Sequence, residues 1–217
     1  RNPIKEDLEK TIREVAQIGY KQVEPYGFPS PQAIELIKQS RDRGMQVNSS
    51  HFDWNSLLDP EKKGVQPFEK ILETARNLEL TDLVVPYLHE VDRADLSAYK
   101  KTAELLNKGA DLAKQAGIRL AYHNHAFEFK PMNKGKTGYD VFIESFSPNM
   151  SFEVDVFLGK SGRSRSSFHD SKTRTTYFAT PPQGLEKRNP LPELRKTCKG
   201  CILSLIHISE PTRRRGI

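Results

Sequence analysis

The sequence predicts an α/β fold, a partial (β/α)8 barrel with five consecutive parallel strands. Three observations lead there. Helical and strand periodicities alternate from Ile4 to about Phe157, so that each expected strand reaches the next through a helix. Such alternation gives parallel strands joined by right-handed crossovers. No Gly-rich phosphate turn follows any strand, which weakens the competing open sheet that binds nucleotides. Finally, polar, chemistry-bearing residues collect at the expected C-terminal strand ends, where a barrel builds its active site.

The elements are read in order. Ile4, Leu8, Ile12, Val15 and Ile18 recur at helical spacing, and Gly19 stops the helix. A strand over residues 20–24 follows. Ser30 is a good N-cap with Pro31 at the first helical position, opening a helix that carries Ile34, Leu36 and Ile37. The next strand covers residues 45–51. A helix spans about Pro67 to Leu78, then the apolar run 82–87 reads as a buried strand. A long helix runs from about Leu96 to Ala116, ended by Gly117, and the strand 118–125 follows. A short helix over about Tyr139 to Ser145 precedes the last clear strand, residues 150–156.

The strand ends then read Glu24, His51, Tyr87, His123-Asn124-His125 and Glu153/Asp155. Four of the six histidines (His51, His89, His123 and His125) lie at or just after them. Side chains alternate along a strand, so His123 and His125 share one face, Asn124 takes the other, and Glu153 and Asp155 share a face. A ring of imidazoles and carboxylates on one rim is a cage for a divalent cation. Mixed N/O ligation suits Mn, Zn, Co or Mg.

The blocks Gly19-Tyr-Lys-Gln-Val-Glu24, Ser49-Ser-His51, Val85-Pro-Tyr87, Tyr122-His-Asn-His-Ala-Phe-Glu-Phe129, Gly135-Lys-Thr-Gly-Tyr-Asp140 and Phe152-Glu-Val-Asp-Val-Phe157 resemble the sugar phosphate isomerase/epimerase family, which has a xylose-isomerase-like TIM barrel. The resemblance covers about residues 4–157 and implies strands two to six of eight. It implies one divalent metal, Mn first among the candidates. Asp155 stands where the family's strand-six ligand lies, and His123, His125 and Glu128 are the strand-five candidates. Glu24, Tyr87 and Asn124 are expected to touch substrate, and Glu153 and His51 to move a proton next to a carbonyl. The implied substrate is a small sugar or polyol. The same parts would serve an inosose-type dehydratase or a keto-sugar lyase, and less readily an abasic-site endonuclease.

Charge bears on that last alternative. From Gly159 onward lie 13 of the 34 Lys and Arg but only 4 of the 28 Asp and Glu, leaving residues 1–158 with a net charge of −3. A mildly acidic body does not suit a phosphate backbone, so no nucleic-acid partner is expected. No stretch has the roughly 18 apolar residues of a membrane span, and no membrane partner is expected either. Oligomeric state is not legible. A cytoplasmic setting is the default expectation, and an exported parent stays open because Arg1-Asn2-Pro3 is an unusual natural start.

Residues 1–157 are thus read as the partial barrel. Residues 158–202 lack apolar periodicity and read as a disordered, out-of-frame tail. Skipping one base at the Leu158 codon makes the following residues compatible with WVKAGDP, and Thr176–Gly184 with RISLLHLKD, which resembles the family's strand seven with its histidine ligand. Residues 203–217 resemble translated sequencing-adapter DNA over Leu203–Arg213, and Cys198 and Cys201 form only a lone CxxC without a second pair. With two metal ligands out of frame, the chain as written is expected to be inactive.

Overall fold

The computed structural model describes residue 4 and residues 6–155 and 176–179, the backbone alone for Asp155 and for 176–179. Five strands form one sheet in chain order: β1 (Ser49–His51), β2 (Asp82–Val85), β3 (Arg119–His123), β4 (Met150–Asp155) and β5 (Thr176–Ala179). β1 to β4 are all parallel, with His51 opposite Val84, Val84 opposite Ala121 and His123 opposite Glu153. Spatial order equal to chain order is what successive right-handed crossovers produce in a barrel wall.

The helices lie between the strands as the apolar spacing requires. They are α1 (Leu8–Ile18), α2 (Pro31–Asp42), α3 (Asn55–Leu58), α4 (Phe68–Asn77), α5 (Leu96–Gln115) and α6 (Gly138–Ser145). α1 starts later than Ile4 because Asp7 caps it, accepting from the Lys10 N–H at 2.8 Å. It ends at Gly19, whose φ of 102° is the left-handed conformation that closes a helix. Ser30 and Pro31 open α2 as their chemistry predicts. Thr137 and Asp140 form a reciprocal capping box at α6, which accounts for that polar block between two apolar elements.

The strand read over 45–51 is limited to Ser49–His51, and α3 has no counterpart in the sequence reading. Two further features depart from it. Residues 20–24 run parallel to the segment before β1, but only through isolated pairings: Val23 N–H to Gln46 O (3.0 Å) and Gln46 N–H to Lys21 O (2.8 Å). Pro25, which has no N–H to donate, accepts from the His51 N–H at 2.9 Å, and a bend at residues 26–27 follows before Phe28 donates to His51 O at 3.0 Å. β5 falls in the segment read as out of frame, and it pairs antiparallel to β4, Asp155 opposite Thr176. That sense is opposite to a barrel strand.

The outer sheet face carries Leu83, Val85, Leu120, Tyr122, Met150 and Phe152, all fully buried against helices. At the level of His51, the same-face register neighbours are Val84, Ala121 and Ser151. Their modest size leaves room inside the wall for an imidazole. Among the described residues no helix is long and apolar enough to cross a membrane.

Candidate active site

Four side chains, from residues 20–24, β1, β3 and β4, meet inside the wall. His51, ending β1, has Nε2 at 2.9 Å from Glu24 Oε1 and 3.2 Å from Glu153 Oε2. His123, ending β3, points Nδ1 at the same Glu153 oxygen, 3.1 Å away. Ser49 donates to the other oxygen of Glu24. All five groups are at most 1% exposed. The convergence follows from strand geometry: each residue takes the inward position near the C-terminal end of its segment.

One nitrogen of His51 therefore serves two carboxylates, while its Nδ1 is buried without a hydrogen-bond partner. Glu153 Oε1 is likewise buried and unpartnered. Buried polar atoms are satisfied in the great majority of cases, so two orphans in one cluster mark a place for a polar ligand. The facing nitrogens of His51 and His123 and an oxygen of Glu153 lie within 4.8 Å of one another, a donor set that could hold a metal ion. Imidazole and carboxylate donors fit a borderline or hard divalent cation.

The charges are strongly coupled. Burial works against a charged His51, yet the Glu24 charge and the bonds to Glu153 and Glu24 outweigh it and raise its pKa to about 9. Burial, reinforced by the Glu153 charge, pushes Glu24 above the ordinary carboxylate range. Burial opposes ionisation of Glu153 as well, but His123 and His51 overcome it and hold Glu153 well below that range. The cluster thus stores a proton on the Glu24–His51 side and a firm negative charge on Glu153.

Above it sits an aromatic rim. The Tyr87 ring meets His125 edge-on at 5.3 Å and Phe127 at 5.6 Å, and Phe127 stacks on His125 at 5.2 Å. Trp54 faces His89 at 5.2 Å and Tyr87 at 6.1 Å. Below the loop that carries His125, the buried Glu128 accepts from the His125 backbone N–H (2.7 Å) and from the Tyr122 hydroxyl. Burial pushes Glu128 up to about 7 against those bonds.

The candidate residues therefore take distinct places. Glu24, His51, His123 and Glu153 come together. Glu24 and Glu153 lie deeper than a substrate-lining rim, both 0% exposed, and Asn124 is also fully buried. Tyr87 and His125 join the half-buried aromatic rim. The Asp155 side chain lies outside the described residues; its backbone ends β4, two residues beyond Glu153. Glu128, a strand-five ligand candidate in the sequence, instead holds the His125 backbone and the Tyr122 hydroxyl. Sequence reasoning missed Ser49, Trp54, Arg93 and Phe127 as site residues. Ser49 was findable, because it precedes His51 by one strand period. The others sit on loops, where periodicity carries no signal.

Residues 12–157 match the family profile described as Xylose isomerase-like TIM barrel. No curated protein matches the chain. Among solved structures, a sugar phosphate isomerase/epimerase from Parabacteroides distasonis is similar, with 23% identity and a TM-score of 0.60 over 74% of this chain and 64% of that one. An L-ribulose 3-epimerase is similar at 20% identity and a TM-score of 0.52, over 72% of this chain and 57% of that one. At these identities the likeness is one of fold, and the chain spans less than two thirds of either structure's length.

Proposed function

Since the chain belongs to the xylose isomerase-like TIM-barrel family, we propose that its parent protein is a metal-dependent sugar isomerase or epimerase, moving a proton next to a carbonyl. The observation that carries this reading is His51: Nε2 held by two carboxylates, Nδ1 buried and unpartnered. A histidine so oriented presents one nitrogen to a ligand and can give or take a proton there. Glu24 sets its charge. Glu153 fixes its ring and that of His123 through a single oxygen, and its second oxygen stays available to the ligand.

His123, His125 and Asp155 are the proposed metal ligands, with Mn the first candidate and Mg, Co or Zn alternatives. A histidine backed by a carboxylate, as His123 is by Glu153, is the usual support for a metal ligand. When bound, the divalent ion supplies Lewis-acid polarisation of the carbonyl. Tyr87 and Asn124 are proposed to hold substrate hydroxyls, and the ring surfaces of Trp54, Tyr87 and Phe127 to cover the C–H face of a small sugar or polyol.

The test uses the protein encoded with one base skipped at Leu158, incubated with Mn and a panel of ketoses in D2O. Deuterium entering at the carbon next to the carbonyl, together with the epimer or isomer, is expected. No exchange on any ketose would overturn the reading. Exchange with loss of water and no epimer would transfer it to a dehydratase.

A further inference from the structure

Arg93 was not marked by any motif, yet it is built into the rim. It ends a short 3-10 turn, Val91–Arg93, which is tied to α5 by Thr102 donating to Asp92 O at 2.9 Å. Its side chain is only 18% exposed. Nε donates to Leu88 O (3.2 Å) and Nη2 to the Tyr87 hydroxyl (3.3 Å). Its guanidinium carbon stands 3.9 Å from the centre of the Phe127 ring and 5.7 Å from that of Tyr87. The nearest carboxylate, Glu90, is 3.9 Å away on a side chain 93% exposed. An exposed pair of that kind holds little, so the rings and the β2 loop hold Arg93 rather than a salt bridge.

Both ring partners of Arg93 pack directly on His125. Phe127 lies flat on it, 6° from parallel, and Tyr87 meets it edge-on. The order is therefore guanidinium, Phe127 ring, His125 ring on one side, and guanidinium, Tyr87 hydroxyl and ring, His125 on the other. A cation over an aromatic face fixes that ring through its quadrupole, and a planar guanidinium does so while its edge still donates hydrogen bonds.

We infer that Arg93 is a positioning residue that clamps Tyr87 and Phe127 around His125, locking the loop after β2 to the loop after β3. Its importance for catalysis rests on the function proposed above; the clamp itself does not. Glu128 holds the His125 backbone from below, so the orientation left for Arg93 to control is that of the imidazole ring. Lysine cannot replace it fully, because an ammonium retains the charge over Phe127 but not the planar edge that reaches Tyr87 and Leu88 together.

The test compares the full chain with R93M and R93K by NMR of the histidine rings, with His125 assigned through H125Q. Emission of Trp54, the single tryptophan, reports on Tyr87 beside it. In R93M the His125 ring signals and Trp54 emission are expected to shift, with a smaller shift at His123, whose ring meets His125 edge-on at 5.3 Å, while the His51 signals and the far-UV circular dichroism stay in place. R93K should restore His125 in part and Trp54 less. Unmoved His125 signals in R93M would overturn the clamp, as would a uniform shift of every histidine, which marks general loosening. A Mn titration of the same samples, read by paramagnetic broadening, separates the two ideas. Weaker broadening at His125 in R93M supports both. No broadening in the unsubstituted chain counts against the functional reading and leaves the ring shifts to decide the clamp.

Discussion

Glu153 on β4 reaches across the interior of the wall to His51 at the end of β1, its Oε2 3.2 Å from Nε2, although 102 residues separate them in the chain. The same oxygen receives His123. Two imidazoles sharing one buried carboxylate oxygen make Glu153 the keystone of the cluster, in energy as well as geometry.

Glu153→Gln tests that dependence. The carboxamide keeps the volume but loses the charge, so two buried imidazoles face a neutral partner. Breaking a buried charged network by removing one member costs about 3–5 kcal/mol. With its own charge lost, E153Q should sit near the lower end, about 3 kcal/mol less stable by urea denaturation at neutral pH. The His51 pKa, followed by NMR, should fall from about 9, because two of the interactions that raise it come from Glu153. An unchanged His51 titration would show that Glu24 alone sets the charge.

Alkali should weaken the fold before acid does. The folded pKa of His51 is raised from the ordinary 6.5 to about 9. Its contribution is complete below about pH 6.5 and is lost as pH rises through 9. With the shift taken at 1.36 kcal/mol per unit, the loss is on the order of 3 kcal/mol. Glu153 has the opposite sign: its depressed pKa contributes above the ordinary carboxylate range and is lost only in stronger acid. The melting temperature should therefore decline between pH 7 and 9, and H51Q should flatten that decline. A wild-type profile flat over this window would disprove the charged state assigned to His51.

Gly138→Ala should destabilise, against helix propensity. Alanine in place of glycine favours a helix by about 1 kcal/mol. Gly138, however, opens α6 directly against the Tyr99 ring, and an added Cβ would fall inside that ring's van der Waals envelope. Tyr99 is 1% exposed and cannot swing away. Overpacking costs about 1–3 kcal/mol or more, so G138A should lower the urea midpoint. A raised midpoint would mean that α5 and α6 can separate at no cost.

The sequence exposed the wall because the wall obeys periodicity. The strand ends Glu24, His51, His123 and Glu153 bring their side chains together inside the wall, and the Ser30 cap and the Gly19 stop stand where the sequence puts them. Depth was harder to read. Glu24 and Tyr87 both read as rim positions, but Glu24 is fully buried beside His51 and Tyr87 is half-buried against His125. Arg93 was invisible, and Phe127 stood in the Tyr122–Phe129 block without a role, because cation–ring contacts between two loops leave no spacing in the chain. The strand at 20–24 shrank to isolated pairings because an alternating pattern does not report how many ladder hydrogen bonds form.

The pairing of β5 leads to the last prediction. A strand that follows β4 through a helix in the same wall must run parallel to it, yet Thr176–Ala179 runs antiparallel. The amino acids in this segment therefore do not behave as a barrel strand in the frame as translated. Skipping one base at Leu158 makes Thr176–Gly184 compatible with RISLLHLKD, an apolar run with a histidine near its C-terminal end, the kind of residue this wall places at its rim. The coding DNA checks this directly: with that base skipped, the bases present must spell WVKAGDP after Phe157 and RISLLHLKD further on. Other strings in the shifted frame would disprove the frame error. If the strings appear, a structure of the restored protein should pair the new strand parallel to β4, with its histidine on the side of Asp155, and Mn should bind at least tenfold more tightly than to the chain as written, about 1.4 kcal/mol or more of added affinity.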